Sequence, residues 1–112
     1  MLITTIILFA IAALLGVILI SKVLQNKETP KTVVYLHGIA AATALVLLII
    51  AYVNLGESLL FTSLLIFVVA TVGGLIMFGR DITNKPVPKW LAIVHALAAV
   101  TAFIILLYAA FR

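Results

Sequence analysis

The chain of 112 residues has no cysteine, three prolines and only three acidic residues, Glu28, Glu57 and Asp81. Without cysteine there is no disulfide, no thiolate metal site and no iron–sulfur cluster, and the redox compartment leaves no trace in the composition. No paired carboxylates, no nucleophile beside a base and no glycine-rich phosphate loop appear. Charged residues make up 9% of the chain, where a soluble domain carries roughly a quarter.

What is present is apolar. Hydrophobic residues account for 67%, and mean hydropathy is +1.46. No soluble core of this size hides so much apolar surface, so lipid has to act as solvent. Four stretches hold no Asp, Glu, Lys or Arg: 2–21, 32–53, 58–79 and 90–111. Each is long enough to cross a hydrocarbon core, which takes about 20 residues. Backbone polar groups in lipid need partners within the protein, leaving helices or a closed barrel. Continuous apolar runs without period-two alternation decide for helices. The expected fold is an all-α membrane protein, a single transmembrane domain over 1–112 with four helices. The first stretch has no basic residue ahead of it and exceeds a signal peptide's apolar region, so it is expected to be a permanent helix.

The basic residues predict orientation. Lys22, Lys27 and Lys31 fall between the first two stretches, Arg80, Lys85 and Lys89 between the last two, and Arg112 alone lies at the other end. This bias places loops 22–31 and 80–89 in the cytoplasm and both termini outside. Trp90 and Tyr35 then sit near the inner interface, with Tyr52 and Tyr108 near the outer one. Six charges divided between two loops suit topology and anionic lipid, so no nucleic-acid partner is expected.

The chain aligns with itself at a shift of 58. Residues 1–54 match 59–112 without a gap, with seventeen identities, where roughly five are expected by chance. Asn26, Lys27, Pro30 and Lys31 recur as Asn84, Lys85, Pro88 and Lys89. Each unit is a helical hairpin with two crossings, so both units share one orientation about a pseudo-two-fold axis along the membrane normal. His37, Ala40, Ala41, Ala44, Leu48 and Ala51 match His95, Ala98, Ala99, Ala102, Leu106 and Ala109 on one helical face. Phe9, Ala12 and Gly16 match Phe67, Ala70 and Gly74 on the other helix of each unit. Small residues at such spacing let membrane helices approach closely, and these faces are expected to meet at the axis.

His37 and His95 are the only ionisable groups within the spans short of their tyrosines. Each lies six residues after a boundary lysine, while Gly16 and Gly74 lie six before Lys22 and Arg80. At 1.5 Å per residue all four occupy one layer about 9 Å inside the boundary. An intramembrane histidine is a functional residue by default, and here its natural partner is the other histidine. Two neutral imidazoles facing each other are a ready pair of axial ligands for the iron of one haem b. Gly16, Gly74, Gly38, Ala41 and Ala99 would leave room for the macrocycle, and Lys31 and Lys89 would meet its propionates.

This layout resembles, over the whole chain, the four-helix haem b bundles of membrane cytochromes b, in which histidines on two helices ligate haem and glycines on the others make room. The resemblance implies a one-electron carrier rather than a catalyst in its own right, served by quinone or a redox partner subunit, alone or in a homo- or hetero-oligomer. The respiratory pattern has a second histidine roughly two heptads along each ligand helix. Ala51 and Ala109 stand there, which leaves one haem.

Other readings stay open. Each histidine can instead hydrogen-bond a neighbouring helix inside a cofactor-free structural subunit. A small-solute or proton transporter would need a polar lining, yet the hydroxyls of Thr43 and Thr101 are expected to bond their own preceding turn. Small multidrug transporters share the length but use an acid within the first helix, absent here. A closed zinc site wants four ligands, and two histidines are too few.

Because the chain is free of cysteine, single-cysteine variants report topology directly. Lys85→Cys should react with a membrane-impermeant maleimide only after cells are opened, and Asn54→Cys in intact cells; the reverse pattern would invert the orientation.

Overall fold

A computed structural model describes all residues 1–112. The four apolar stretches form four α-helices: α1 Leu2–Leu24, α2 Lys31–Leu55, α3 Ser58–Ile82 and α4 Lys89–Phe111. All four are long and apolar enough to cross a membrane, and the chain is an integral, multi-pass membrane protein. The helices outrun the uncharged stretches, with α1 continuing through Lys22, α3 through Arg80 and Asp81, and α2 and α4 beginning at Lys31 and Lys89. Charge does not end a helix, because long side chains carry their heads to the interface. Backbone geometry does. Asn26 and Asn84 take left-handed φ values of 57° and 59°. Behind them Lys27 N–H bonds the Lys22 carbonyl at 2.9 Å and Lys85 N–H bonds the Arg80 carbonyl at 2.8 Å, a Schellman-type closure. Pro30 and Pro88 then cap α2 and α4. The short turn between α2 and α3 closes on Gly56 at φ 64°, a conformation glycine adopts without a Cβ penalty.

The helices stand in a ring, each touching two neighbours. Pairing is most extensive within the hairpins, α1 with α2 and α3 with α4, and lighter where α1 meets α4 and α2 meets α3. The diagonals meet only through side chains. The Phe9 and Phe67 rings stack face to face across α1 and α3, with centroids 3.9 Å apart. His37 and His95 face each other across α2 and α4. The bundle is 41 Å long.

Only 15 of 112 residues are buried, as expected where lipid covers the rest. Ten of those fifteen are five identical pairs at the 58-residue shift: Phe9 and Phe67, Ala12 and Ala70, Ala44 and Ala102, Leu48 and Leu106, Ala51 and Ala109. Five of the seventeen matched pairs are therefore packing positions. The main core cluster runs from Phe9, Ala44, Phe67 and Ala102 toward the termini. In the half nearer the long loops only Ala92 is fully buried. Thr43 and Thr101 bond the carbonyls of Ile39 and Leu97 at 2.8 Å, in their own helices. Ser63 does not, and its buried hydroxyl crosses to the Ala102 carbonyl at 2.8 Å.

Leu48 has no exposed surface, whereas Leu14 is 71% exposed. Since lipid is as apolar as the core, Leu48→Ala loses mainly packing and should cost about 2 kcal/mol in a reversible unfolding titration in detergent micelles. Leu14→Ala should stay within about 0.5 kcal/mol. Equal losses would contradict this placement of the core.

Candidate functional site

Both histidines use the same local device. His37 Nδ1 lies 2.8 Å from the Ala12 carbonyl on α1, and His95 Nδ1 lies 2.6 Å from the Ala70 carbonyl on α3. A carbonyl only accepts, so in each ring Nδ1 carries the hydrogen and donates it. Neutral imidazole has a single N–H, so Nε2 retains its lone pair. The tautomer is firmly set, because an Nδ1–H left without a partner in this setting costs about 1–3 kcal/mol.

The glycines explain how the rings reach those carbonyls. A helical side chain covers the turn N-terminal to its own Cα, so residue 16 would cover the carbonyl of residue 12. Glycine leaves that carbonyl open. A Cβ on Gly16 would stand 3.2 Å from His37 Cε1, and one on Gly74 would stand 3.1 Å from His95 Cε1. Both are tighter than ordinary contact. The glycines thus make room, and what fills it is the edge of each imidazole. Gly73, which reads as packing in the sequence, sits beside the same ring, 3.8 Å from His95 Cβ by the same measure.

The two rings have centroids 6.3 Å apart and planes inclined at 74°. Both histidines are half-buried, at the edge of the core on its long-loop side. Neither Nε2 makes a hydrogen bond. Ala41 and Ala99, one turn along, are also half-buried. Gly38 lies apart from the site. It is exposed, and a Cβ there would meet nothing within 4 Å, because a step of one residue turns it about 100° from His37.

The boundary lysines differ from one another. Lys31 Nζ pairs with Asp81 Oδ1 at 3.0 Å and donates to Thr29 Oγ1 at 3.2 Å. Thr29 in turn donates to Asp81 Oδ2 at 2.7 Å. Lys89 is exposed and has no ion pair. Both partners of Lys31 lack counterparts beside Lys89: at the 58-residue shift Asp81 on α3 corresponds to Val23 on α1, and Thr29 to Val87. At the opposite end Arg112 pairs with Glu57.

No group of three or more histidine, cysteine or acidic side chains is placed to hold a metal ion unaided. Two imidazoles suit a metal that brings its own equatorial ligands. The two rings meet edge to face with centroids 6.3 Å apart, and each Nε2 is left without a hydrogen-bond partner. Hydrogen-bonding of the remote ring nitrogen to a carbonyl is the usual outer support of a metal-bound histidine.

Comparison with known proteins finds no matching family model, curated protein or solved structure.

The tautomer is directly measurable. In protein labelled with ¹⁵N-histidine and prepared without added haem, both rings should show a protonated Nδ1 and an unprotonated Nε2. Gly16→Val should disturb only the His37 signals and Gly74→Val only those of His95. Protonated Nε2 in the unsubstituted protein would contradict the carbonyl bonds.

Proposed function

We propose that this protein is a small membrane cytochrome holding one haem b between His37 and His95, for one-electron transfer. The observation that carries the reading is the paired imidazole geometry, with each Nδ1 tied to a carbonyl, each Nε2 free, and centroids 6.3 Å apart. His37 and His95 would be the two iron ligands. Ala12 and Ala70 would orient them through their carbonyls, and Gly16 and Gly74 would seat the ring edges. The Phe9–Phe67 stack would bound the site on the core side. With Lys31 engaged by Asp81, Lys89 is the freer cation to meet a propionate. Bound between two neutral imidazoles, haem supplies a one-electron couple whose potential follows burial and hydrogen bonding around the ligands.

The reading includes a tandem pair of hairpins about a pseudo-two-fold axis along the membrane normal, with the long loops cytoplasmic and both termini external. Support comes from equivalent residues making equivalent contacts, each histidine bonding the residue 25 positions earlier, and from the placement of the basic residues. Quinone or a redox partner subunit would complete the electron route.

A second reading has its own observation. The same carbonyl bond satisfies each histidine in a cofactor-free bundle, and a packing subunit of a larger membrane complex needs no more. A transporter is less favoured, because Thr43 and Thr101 spend their hydroxyls within their own helices.

An absorption spectrum separates the two. Detergent-purified protein from haem-replete cells should carry about one haem per chain, with a sharp α-band on dithionite reduction. His37→Ala and His95→Ala should each lose haem at least about 10-fold. A colourless protein that stays empty through haem titration would sink the cytochrome and leave the packing subunit.

A further inference from the structure

A cleft of about 450 Å³ opens between the two long loops at one end of the bundle. Its walls mix polar and apolar surface: Lys27, Lys31 and Lys85 line it with Asn26, Asn84 and Thr29, beside Val23, Pro86 and Val87. Lys27 and Lys85 are equivalent residues of the two loops, each following an asparagine in the left-handed conformation. Neither ammonium has a carboxylate within ion-pair reach. The acids on the walls are Asp81 and Glu28. Asp81 is already neutralised by Lys31 and bonded by Thr29, so it repels an incoming anion little; Glu28 is exposed and without an ion pair, and against it Lys27 and Lys85 leave one positive charge in excess. That network also ties the first loop to α3, holding one wall in place.

We propose that this interloop cleft is a phosphate-binding site for the headgroup of an anionic phospholipid, gripped between Lys27 and Lys85. Lysine binds phosphate as a point charge, and the asparagine amides and the Thr29 hydroxyl add neutral polar partners. Position selects lipid as the source. The bundle is 41 Å long and a hydrocarbon core is about 30 Å thick, so the helix ends and their loops stand in the headgroup region. Basic pockets between membrane helices take anionic headgroups in this way. The opposite end of the bundle has no such site, since its one basic side chain, Arg112, pairs with Glu57. The assignment does not depend on haem.

The test is native mass spectrometry of the detergent-purified full chain titrated with phosphatidylglycerol, phosphatidylcholine or inorganic phosphate. One phosphatidylglycerol should bind saturably per chain, with phosphatidylcholine much weaker. The Lys27→Gln/Lys85→Gln double variant should bind phosphatidylglycerol about 30-fold more weakly, the effect of two surface lysines. Lys22→Gln/Lys89→Gln removes the same charge from outside the cleft and should change binding less than about 3-fold. Competition by millimolar phosphate against the lipid would support the shared phosphate chemistry. Equal losses in both double variants would overturn the site in favour of diffuse charge. Equal binding of phosphatidylcholine would overturn it as non-selective, and saturable phosphate without any lipid adduct would overturn the lipid assignment.

Discussion

The long-loop half of this bundle is organised by a hydrogen bond from an imidazole to a helix carbonyl, made over a glycine. In hydrocarbon a polar group has no water to fall back on, so each histidine has to find a partner in the protein. Helix carbonyls are already engaged in the helix but keep a second lone pair. They are normally shielded by the side chain one turn further on. Removing that side chain at residues 16 and 74 opens the carbonyls of Ala12 and Ala70, and the imidazoles enter. Three residue choices on two helices thus act as one unit, repeated in each hairpin. Tautomer, ring orientation and the direction of the free Nε2 lone pair all follow from it.

The rest of the packing answers a different constraint. Lipid tails give helices no hydrophobic reason to associate, so contact must come from shape. Alanines at 12, 44, 51, 70, 102 and 109 bring the backbones close, while Leu48 and Leu106 fill the interior and the Phe9–Phe67 stack spans one diagonal. This well-filled region occupies the terminal half. The histidines stand at its edge, where packing loosens toward the long loops. Their rings therefore have buried side chains on one side and half-buried or exposed ones on the other.

Charge divides the two ends. One end carries six basic residues against Glu28 and Asp81; the other carries the Arg112–Glu57 pair. Among several differences between the two loop regions, Asp81 stands where the 58-residue shift puts Val23. It draws Lys31 and Thr29 into a network on the α2 and α3 side and leaves Lys89 exposed. The two hairpins, identical at seventeen of their 54 aligned positions, thus present different loop surfaces.

Much of the architecture was legible in the residues themselves. Uncharged stretches of 20 to 22 residues specify four spanning helices, because the solvent they need and the thickness they cross are properties of the bilayer. Alanines and the phenylalanine pair on common faces specify which sides pack, because helical periodicity is fixed by the backbone. The histidine and glycine layer was equally visible, as a matter of depth counted from the charged boundaries. The helix ends were less so. They overrun the charges at Lys22, Lys31, Arg80 and Lys89, since lysine and arginine can stay in a helix and reach the interface. Gly38, adjacent to His37 in the chain and grouped with it by sequence, faces outward. What only the folded bundle decided is which atoms meet. The partners of the histidines are main-chain carbonyls, which every residue possesses and no side chain announces. Asp81 reaches Thr29 and Lys31 from about fifty residues away. A sequence carries the periodicity and depth of each helix, which are local; rotation and approach between helices set the hydrogen bonds, and those exist only once the helices are packed.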